Sequence, residues 1–253
     1  MRYPELIFDL YGTLVDIHTE ENAAVWEKTA LYYGFYGARY TGPELEAAYR
    51  ALVAQGEAAA GQSYECFPEL QIETVFARLF RQKGVAAGAE ALGVSAAQLF
   101  RVLSLEYVRL YPGVRQALAA LRADGHRLWL LTNAQRVFTA YELRLLGLES
   151  CFDGMYISSD YSCRKPDARF FETLLVGQNL PRAGCLMIGN DRSTDIAGAN
   201  AAGIHSLYLH TNLSPAQDRG CPGGATASYW MEGSDWRQVL ARIRGICMGG
   251  SQI

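Results

Sequence analysis

The sequence predicts an α/β fold, a Rossmann-like doubly wound parallel sheet core with an inserted all-helical cap, on three observations. Short apolar runs recur with helical patterns between them, as they do in a parallel sheet covered on both faces. Several runs end on acidic or polar residues and glycine, which marks strands whose carboxyl ends open into loops. Residues 18–108 instead carry helical patterns in series with no convincing strand. The core is therefore expected over 1–17 and 109–247, the helical insertion over 18–108, and a flexible tail over 248–253.

Leu6-Ile7-Phe8 reads as the first buried strand, ending at Asp9 before Gly12. Asp16-Ile17-His18 and the residues around Tyr111-Pro112-Gly113 read as two hinges that let the insertion act as a lid. Within it, Ile72, Val75, Phe76, Leu79 and Phe80 mark one apolar helix face, and Thr41 with Glu44 and Ser95 with Gln98 read as capping boxes. After the second hinge, Val114, Leu118 and Leu121 share a helical face that Gly125 stops, and Leu143 and Leu146 close another helix before Gly147. Strands are expected at 127–131, 154–158, 185–188 and 206–209, with a weaker one over 227–231. Trp230 and Trp236 are expected to cover the sheet edge.

Bulk properties narrow the function. With 253 residues, half of them hydrophobic, the chain can bury a sizeable core. A net charge of -3 and the lack of a dense Lys/Arg run exclude the electrostatic footprint of nucleic-acid or anionic-membrane binding, which leaves a small-molecule partner. Cys66, Cys151, Cys163, Cys185, Cys221 and Cys247 are scattered without metal-ligand spacing, so reduced thiols in a cytoplasmic protein are expected. The chain runs from Met1 straight into the first strand, and no apolar run is long enough to span a bilayer. A monomer and a homodimer are equally compatible with the apolar periodicity.

Four strings at predicted strand ends carry chemistry. Asp9 precedes Leu10-Tyr11-Gly12-Thr13, placing a carboxylate that can attack an electrophile beside a turn whose glycine admits backbone N–H groups to a developing charge. Thr132 and Asn133 offer a hydroxyl and an amide for an anionic oxygen. Lys165, before Pro166, can neutralise a transferring group. Asp191 and Asp195 lie four residues apart near an expected helix start. Each string alone also suits an ordinary turn, cap or surface lysine.

Together and in this order, from Asp9 to about Gly203, they resemble the four motifs of the haloacid dehalogenase superfamily. The resemblance implies a Rossmann-like core with a helical cap that carries specificity, Asp9 as covalent nucleophile, Thr132 as anion ligand, Lys165 as the family's catalytic lysine, and Asp191 as a magnesium ligand supported by Asp195. It also implies magnesium contacts from Asp9 and from the backbone carbonyl of Tyr11.

One position departs from the phosphatases of that family, which read D-x-D-G-T and use the second Asp as general acid and base. Here it is Tyr11. A phenol titrates near ~10 against ~4 for a carboxyl group, so Tyr11 is a poor base at neutral pH. The D-x-Y-G-T string resembles the 2-haloacid dehalogenases, whereas keeping both Asp191 and Asp195 resembles the phosphatases. Three readings follow: a magnesium-dependent phosphohydrolase, a metal-independent 2-haloacid dehalogenase with Arg39 or Arg50 clamping the substrate carboxylate, and a weakly active or inactive phospholigand-binding protein. Tyr32, Tyr33, Tyr36 and Tyr40 are candidates to line the substrate pocket, and His18 is a candidate replacement base.

Overall fold

The computed structural model describes residues 2–60, 69–218 and 226–249. The chain runs β1 (Glu5–Phe8), β2 (Val15–Thr19), α1 (Ala23–Phe35), α2 (Gly42–Ala60), α3 (Ile72–Gln82), α4 (Ala89–Ser104) and β3 (Leu105–Leu110). It continues through α5 (Val114–Ala123), β4 (Arg127–Thr132), α6 (Arg136–Leu145), β5 (Gly154–Ile157), α7 (Ala168–Gly177) and β6 (Cys185–Gly189). It ends with α8 (Ala197–Ala201), β7 (His205–His210), β8 (Tyr229–Glu232) and α9 (Trp236–Cys247).

Six strands form one parallel sheet in the order β5-β4-β1-β6-β7-β8. Period-two alternation sends the side chains to two cores. Leu6 and Phe8 of β1, Leu128 and Leu130 of β4, and Leu186 and Ile188 of β6 face one side, where α5 and α9 cover them. Ile7, Trp129, Leu131 and Met187 face the other, against Phe170, Phe171 and Leu174 of α7. Both faces are covered, which is why these strands read as unbroken apolar runs. From β1 the strand order extends in opposite directions through β4 and through β6, so a crevice opens at its carboxyl end, where Asp9 lies.

Helices α1 to α4 bury a separate apolar cluster around Trp26, Tyr33, Phe76, Phe80 and Phe100. Gly93 lets α4 approach α3 closely: a Cβ there would lie 2.5 Å from the Glu73 carbonyl oxygen and 2.7 Å from the Ala77 Cβ. The bundle also packs on Val137 and Phe138 of α6, which joins it to the sheet layer. Among the described residues no helix is long and apolar enough to cross a membrane.

Several expectations change. Of the two hinge stretches, Asp16-Ile17-His18 lies in β2, which pairs antiparallel with β3 in a ribbon, with Ile17 opposite Val108 and a register shift between His18 and Thr19, while Tyr111-Pro112-Gly113 follows β3; residues 105–108, expected to be helical, are thus strand. The ribbon is tied by Asp16, which accepts from Arg109 Nε (2.9 Å) and Nη2 (2.8 Å) and from Asn212 Nδ2 (3.0 Å). Thr41 and Glu44 do form a reciprocal capping box, at 2.8 and 3.3 Å. Ser95 does not cap: it lies inside α4 and donates to the Ala91 carbonyl. Trp230 lies on edge strand β8, but Trp236 is buried in the core against Phe8. Cys151, Cys185 and Cys247 are free thiols, while Cys66, Cys221 and most of the 248–253 tail lie outside the described residues.

Two glycine substitutions should have opposite signs. Gly93→Ala forces α3 and α4 apart and should cost about 1–3 kcal/mol in urea unfolding. Gly34→Ala meets nothing within 4 Å and should stabilise α1 by about 0.5–1 kcal/mol. Equal effects would show that the α3–α4 contact is not tight.

Candidate active site

Asp9 leaves β1 in the middle of the sheet, its N–H donating to the Ile188 carbonyl of β6 at 3.0 Å. Lys165 reaches it from the loop after β5. The Lys165 Nζ donates to Asp9 Oδ1 (2.7 Å), Asp195 Oδ1 (2.6 Å) and the Leu131 carbonyl (2.9 Å). Its three N–H donors thus meet three oxygens, which allows an ammonium only 1% exposed to remain charged. Burial alone would lower its pKa, yet the Asp195 and Asp9 carboxylates outweigh burial and hold it above the usual lysine value. Burial pushes the Asp195 carboxyl up to about 7, with Lys165 pulling in the opposite direction.

Neighbouring loops brace this centre. Thr13 Oγ1 lies 3.2 Å from both Asp9 Oδ2 and Asn190 Oδ1. Asn133 clasps the Lys165 main chain, accepting from its N–H at 2.8 Å and donating to its carbonyl at 3.0 Å. Asp191 caps the turn that follows, its Oδ1 accepting from Ser193 N (2.7 Å), Ser193 Oγ (2.6 Å) and Thr194 N (3.2 Å). Asp195 Oδ2 in turn accepts from the Asp191 N–H at 3.0 Å. Trp236 Nε1 donates to the Thr13 carbonyl at 3.0 Å, and Thr211 Oγ1 to the Gly12 carbonyl at 2.8 Å.

Asp9, Thr132, Lys165, Asp191 and Asp195 line one cavity of about 240 Å³. Thr132 Oγ1 is buried with no hydrogen-bond partner among the described residues, so its hydroxyl is available to a ligand oxygen. Three carboxylates meet one ammonium there, an imbalance that favours a cation. Asp195 is committed to Lys165 and the Asp191 N–H, leaving Asp9 and Asp191 as carboxylate donors. Two carboxylates completed by water and substrate oxygens suit magnesium, which rarely occupies an all-protein cage. Among the described residues no group of three or more His, Cys, Asp or Glu side chains is arranged to hold a metal by itself.

The structure redirects several other candidates. The Gly12 N–H donates to the Val15 carbonyl at 2.8 Å and is not available to a substrate. Gly12 is needed for its positive φ of 85° and because Asn190 packs where a Cβ would be. The Asn133 amide is spent on positioning Lys165 rather than on an anion. Tyr11 lines the cavity, but its hydroxyl is turned to α6, donating to Glu142 Oε2 at 2.5 Å beside Thr139 Oγ1 at 3.2 Å. Burial, reinforced by the Glu142 carboxylate, holds that phenol well above its ordinary pKa. A catalytic acid or base role for the Tyr11 hydroxyl is thereby corrected.

His18 lies on the exposed ribbon beside Glu106, away from the cavity. The tyrosines serve the bundle instead of a pocket: Tyr33 stacks on Phe80, Tyr40 donates to the Leu79 carbonyl, and Tyr32 meets Tyr36 edge-on. Neither Arg39 nor Arg50 lines the cavity, and Arg50 pairs with Glu46 on its own helix. Sequence reasoning missed Thr13, Asn190, Glu142 and Arg101. Thr13 and Asn190 flank the recognised acids, but nothing local distinguishes Glu142 and Arg101 from surface charges.

Residues 6–203 match the family model of haloacid dehalogenase-like hydrolases. The chain belongs to that family. It is 30% identical over 115 residues to a glyceraldehyde 3-phosphate phosphatase of Methanothermobacter thermautotrophicus, a match covering 44% of this chain and 49% of that one. The chain thus spans about half the length of that relative. It is 27% identical over 232 residues to pyrimidine 5'-nucleotidase PynA of Streptococcus pneumoniae, covering 86% of this chain and 91% of the other. An L-2-haloacid dehalogenase structure aligns with a TM-score of 0.58 at 19% identity, covering 96% of this chain and all of that one. That likeness shows the shared fold of this hydrolase family, not the reaction.

Lys165→Met tests the centre. Removing the ammonium leaves buried carboxylates without a counter-charge, which should cost about 3–5 kcal/mol in urea unfolding at pH 7.5, and less at pH 5, below the raised pKa of Asp195, where that carboxyl is neutral. A loss under about 1 kcal/mol would show that the three charges are not mutually dependent.

Proposed function

We propose that the chain is a magnesium-dependent phosphohydrolase acting on a small phosphorylated metabolite, with Asp9 as covalent nucleophile and the α1–α4 bundle as a cap over the sheet core. The observation that carries this reading is the unpaired Thr132 hydroxyl in the wall of the cavity that holds Asp9, Lys165 and Asp191. A buried hydroxyl without a partner suits an anionic oxygen. The phosphatase and nucleotidase names of the relatives agree with it. The 2-haloacid dehalogenase reading needs an arginine clamp, and the two cap arginines it named are elsewhere. The reading also carries the expectation of a cytoplasmic enzyme, as a monomer or homodimer.

Asp9 attacks phosphorus as the bond to the leaving oxygen breaks, forming an aspartyl phosphate. Water then attacks phosphorus, the Asp9–phosphorus bond breaks and the carboxylate returns; the net reaction consumes ester and water and yields alcohol and phosphate. Lys165 holds the Asp9 carboxylate in place and offsets its charge as the phosphoryl group approaches. Thr132 donates its hydroxyl to a phosphoryl oxygen, and Asp195 keeps Lys165 protonated and oriented. Magnesium, held by Asp9, Asp191 and the Tyr11 carbonyl, would neutralise charge on the phosphoryl oxygens.

Phosphate release from p-nitrophenyl phosphate should require magnesium, stop with chelator, and fall at least about 10³-fold in Asp9→Asn. No chloride should appear from 2-chloropropionate; chelator-indifferent chloride release would establish the dehalogenase instead, and magnesium binding without turnover the binding protein. Thr132→Val should lower turnover about 10²- to 10³-fold while leaving stability unchanged or slightly higher, because the lost hydroxyl has no partner to strand. A folded Thr132→Val enzyme with full activity would remove the main support for an anion site.

A further inference from the structure

The position that in a D-x-D-G-T motif supplies a proton to the leaving group is occupied here by a side chain with another commitment. Tyr11 donates its hydroxyl to Glu142, and Glu142 is held by a second donor from the cap. Arg101, in the last turn of α4, reaches Glu142 Oε1 through Nε at 2.7 Å and Oε2 through Nη2 at 3.1 Å. Its guanidinium also lies over the rings of Tyr11 at 5.8 Å and Phe138 at 5.3 Å. The Glu142 side chain is 3% exposed. Released from Tyr11 and Arg101 it would be a desolvated carboxylate, so the phenol cannot turn toward the cavity without leaving this acceptor short of a donor.

The other titratable groups in the cavity wall are also committed. Lys165 has all three donors engaged, Asp195 pairs with it, Asp9 is the nucleophile, and Asp191 caps the following turn. No histidine lines the cavity among the described residues. Hence no side chain of the described wall is placed to protonate a departing oxygen.

On the phosphohydrolase reading, we propose that this enzyme takes phosphate compounds whose leaving group departs as a stable anion, namely acyl, enol or aryl phosphates, and discriminates against simple alkyl phosphates. The bond between phosphorus and the leaving oxygen breaks with its electron pair going to that oxygen. The anion then takes its proton from water after leaving the site. Tyr11 is a positioning residue, holding the loop beside Asp9 against the cap through Glu142 and Arg101.

The test is a series in magnesium buffer of acetyl phosphate, phenyl phosphates of graded phenol acidity, and glycerol phosphate. The quantity read is kcat/KM, which reports steps up to the first irreversible one, here formation of the aspartyl phosphate. It should fall about 10³-fold or more from p-nitrophenyl phosphate to the alkyl ester, the scale of a missing acid catalyst. Tyr11→Phe should keep that ratio within about threefold, because the hydroxyl takes no part in proton transfer, and Tyr11→Asp should shrink it about tenfold or more. A wild-type ratio under about tenfold, or a ratio about tenfold wider in Tyr11→Phe, overturns the proposal. Silence toward every compound, with p-nitrophenyl phosphate included, overturns the phosphohydrolase reading itself.

Discussion

Everything at the strand ends depends on one buried ammonium group. Lys165 is buried, and three such charged groups in one place would be costly if any lacked a partner. The geometry meets that constraint by giving each Nζ proton its own oxygen, two of them carboxylates and one the carbonyl of β4. A well-packed apolar triad would serve stability equally well, so stability alone does not explain the arrangement. It makes sense as a preorganised site, where the cost of orienting charge is met during folding instead of during the reaction.

Preorganisation also explains why so many side chains in the loops bond to main chain. Asn133 fixes the Lys165 backbone, Asp195 fixes the Asp191 backbone, and Thr211, just after β7, and Trp236, at the start of α9, fix the turn after Asp9. The supports arrive from both directions in which the strand order extends from β1. A parallel sheet with a central first strand is the topology that lets loops from β4, β5, β6 and β7 converge on one carboxylate.

How far this was legible follows from the range of each signal. Strands β1, β4, β6 and β7 were visible because burial on both faces leaves uninterrupted apolar runs such as Leu128 to Leu131, the edge strand β8 reads more weakly because it is half-exposed, and the motif acids were visible because they end such runs. The β2–β3 ribbon was not, because a two-stranded, half-exposed pair is held by polar partners: Asp16 and Arg109 are 93 residues apart in the chain. Ser95 with Gln98 mimicked a cap since α4 continues through Gly93, a glycine retained for helix packing. The tyrosine cluster mimicked a binding surface because aromatic spacing on a helix is the same whether the rings face a ligand or α3.

Tyr11 illustrates why a single motif position resisted both interpretations open to it. The sequence offers only a choice between a weak acid–base group and a dehalogenase marker, since its partner Glu142 and the cap residue Arg101 lie far along the chain. Geometry adds a third role. An aspartate at position 11 would be too short to reach α6 and would share the sign of Glu142, so it could not bridge to that carboxylate as the phenol does. On the proposed reading, Tyr11 exchanges one function for another: a proton donor near the leaving group gives way to a neutral donor that joins the loop after Asp9 to the buried ion pair between Arg101 of α4 and Glu142 of α6. On the same reading the site relies on the substrate's own leaving-group chemistry, while α4 is anchored to α6 by a charge neutralisation that a carboxylate at position 11 would oppose.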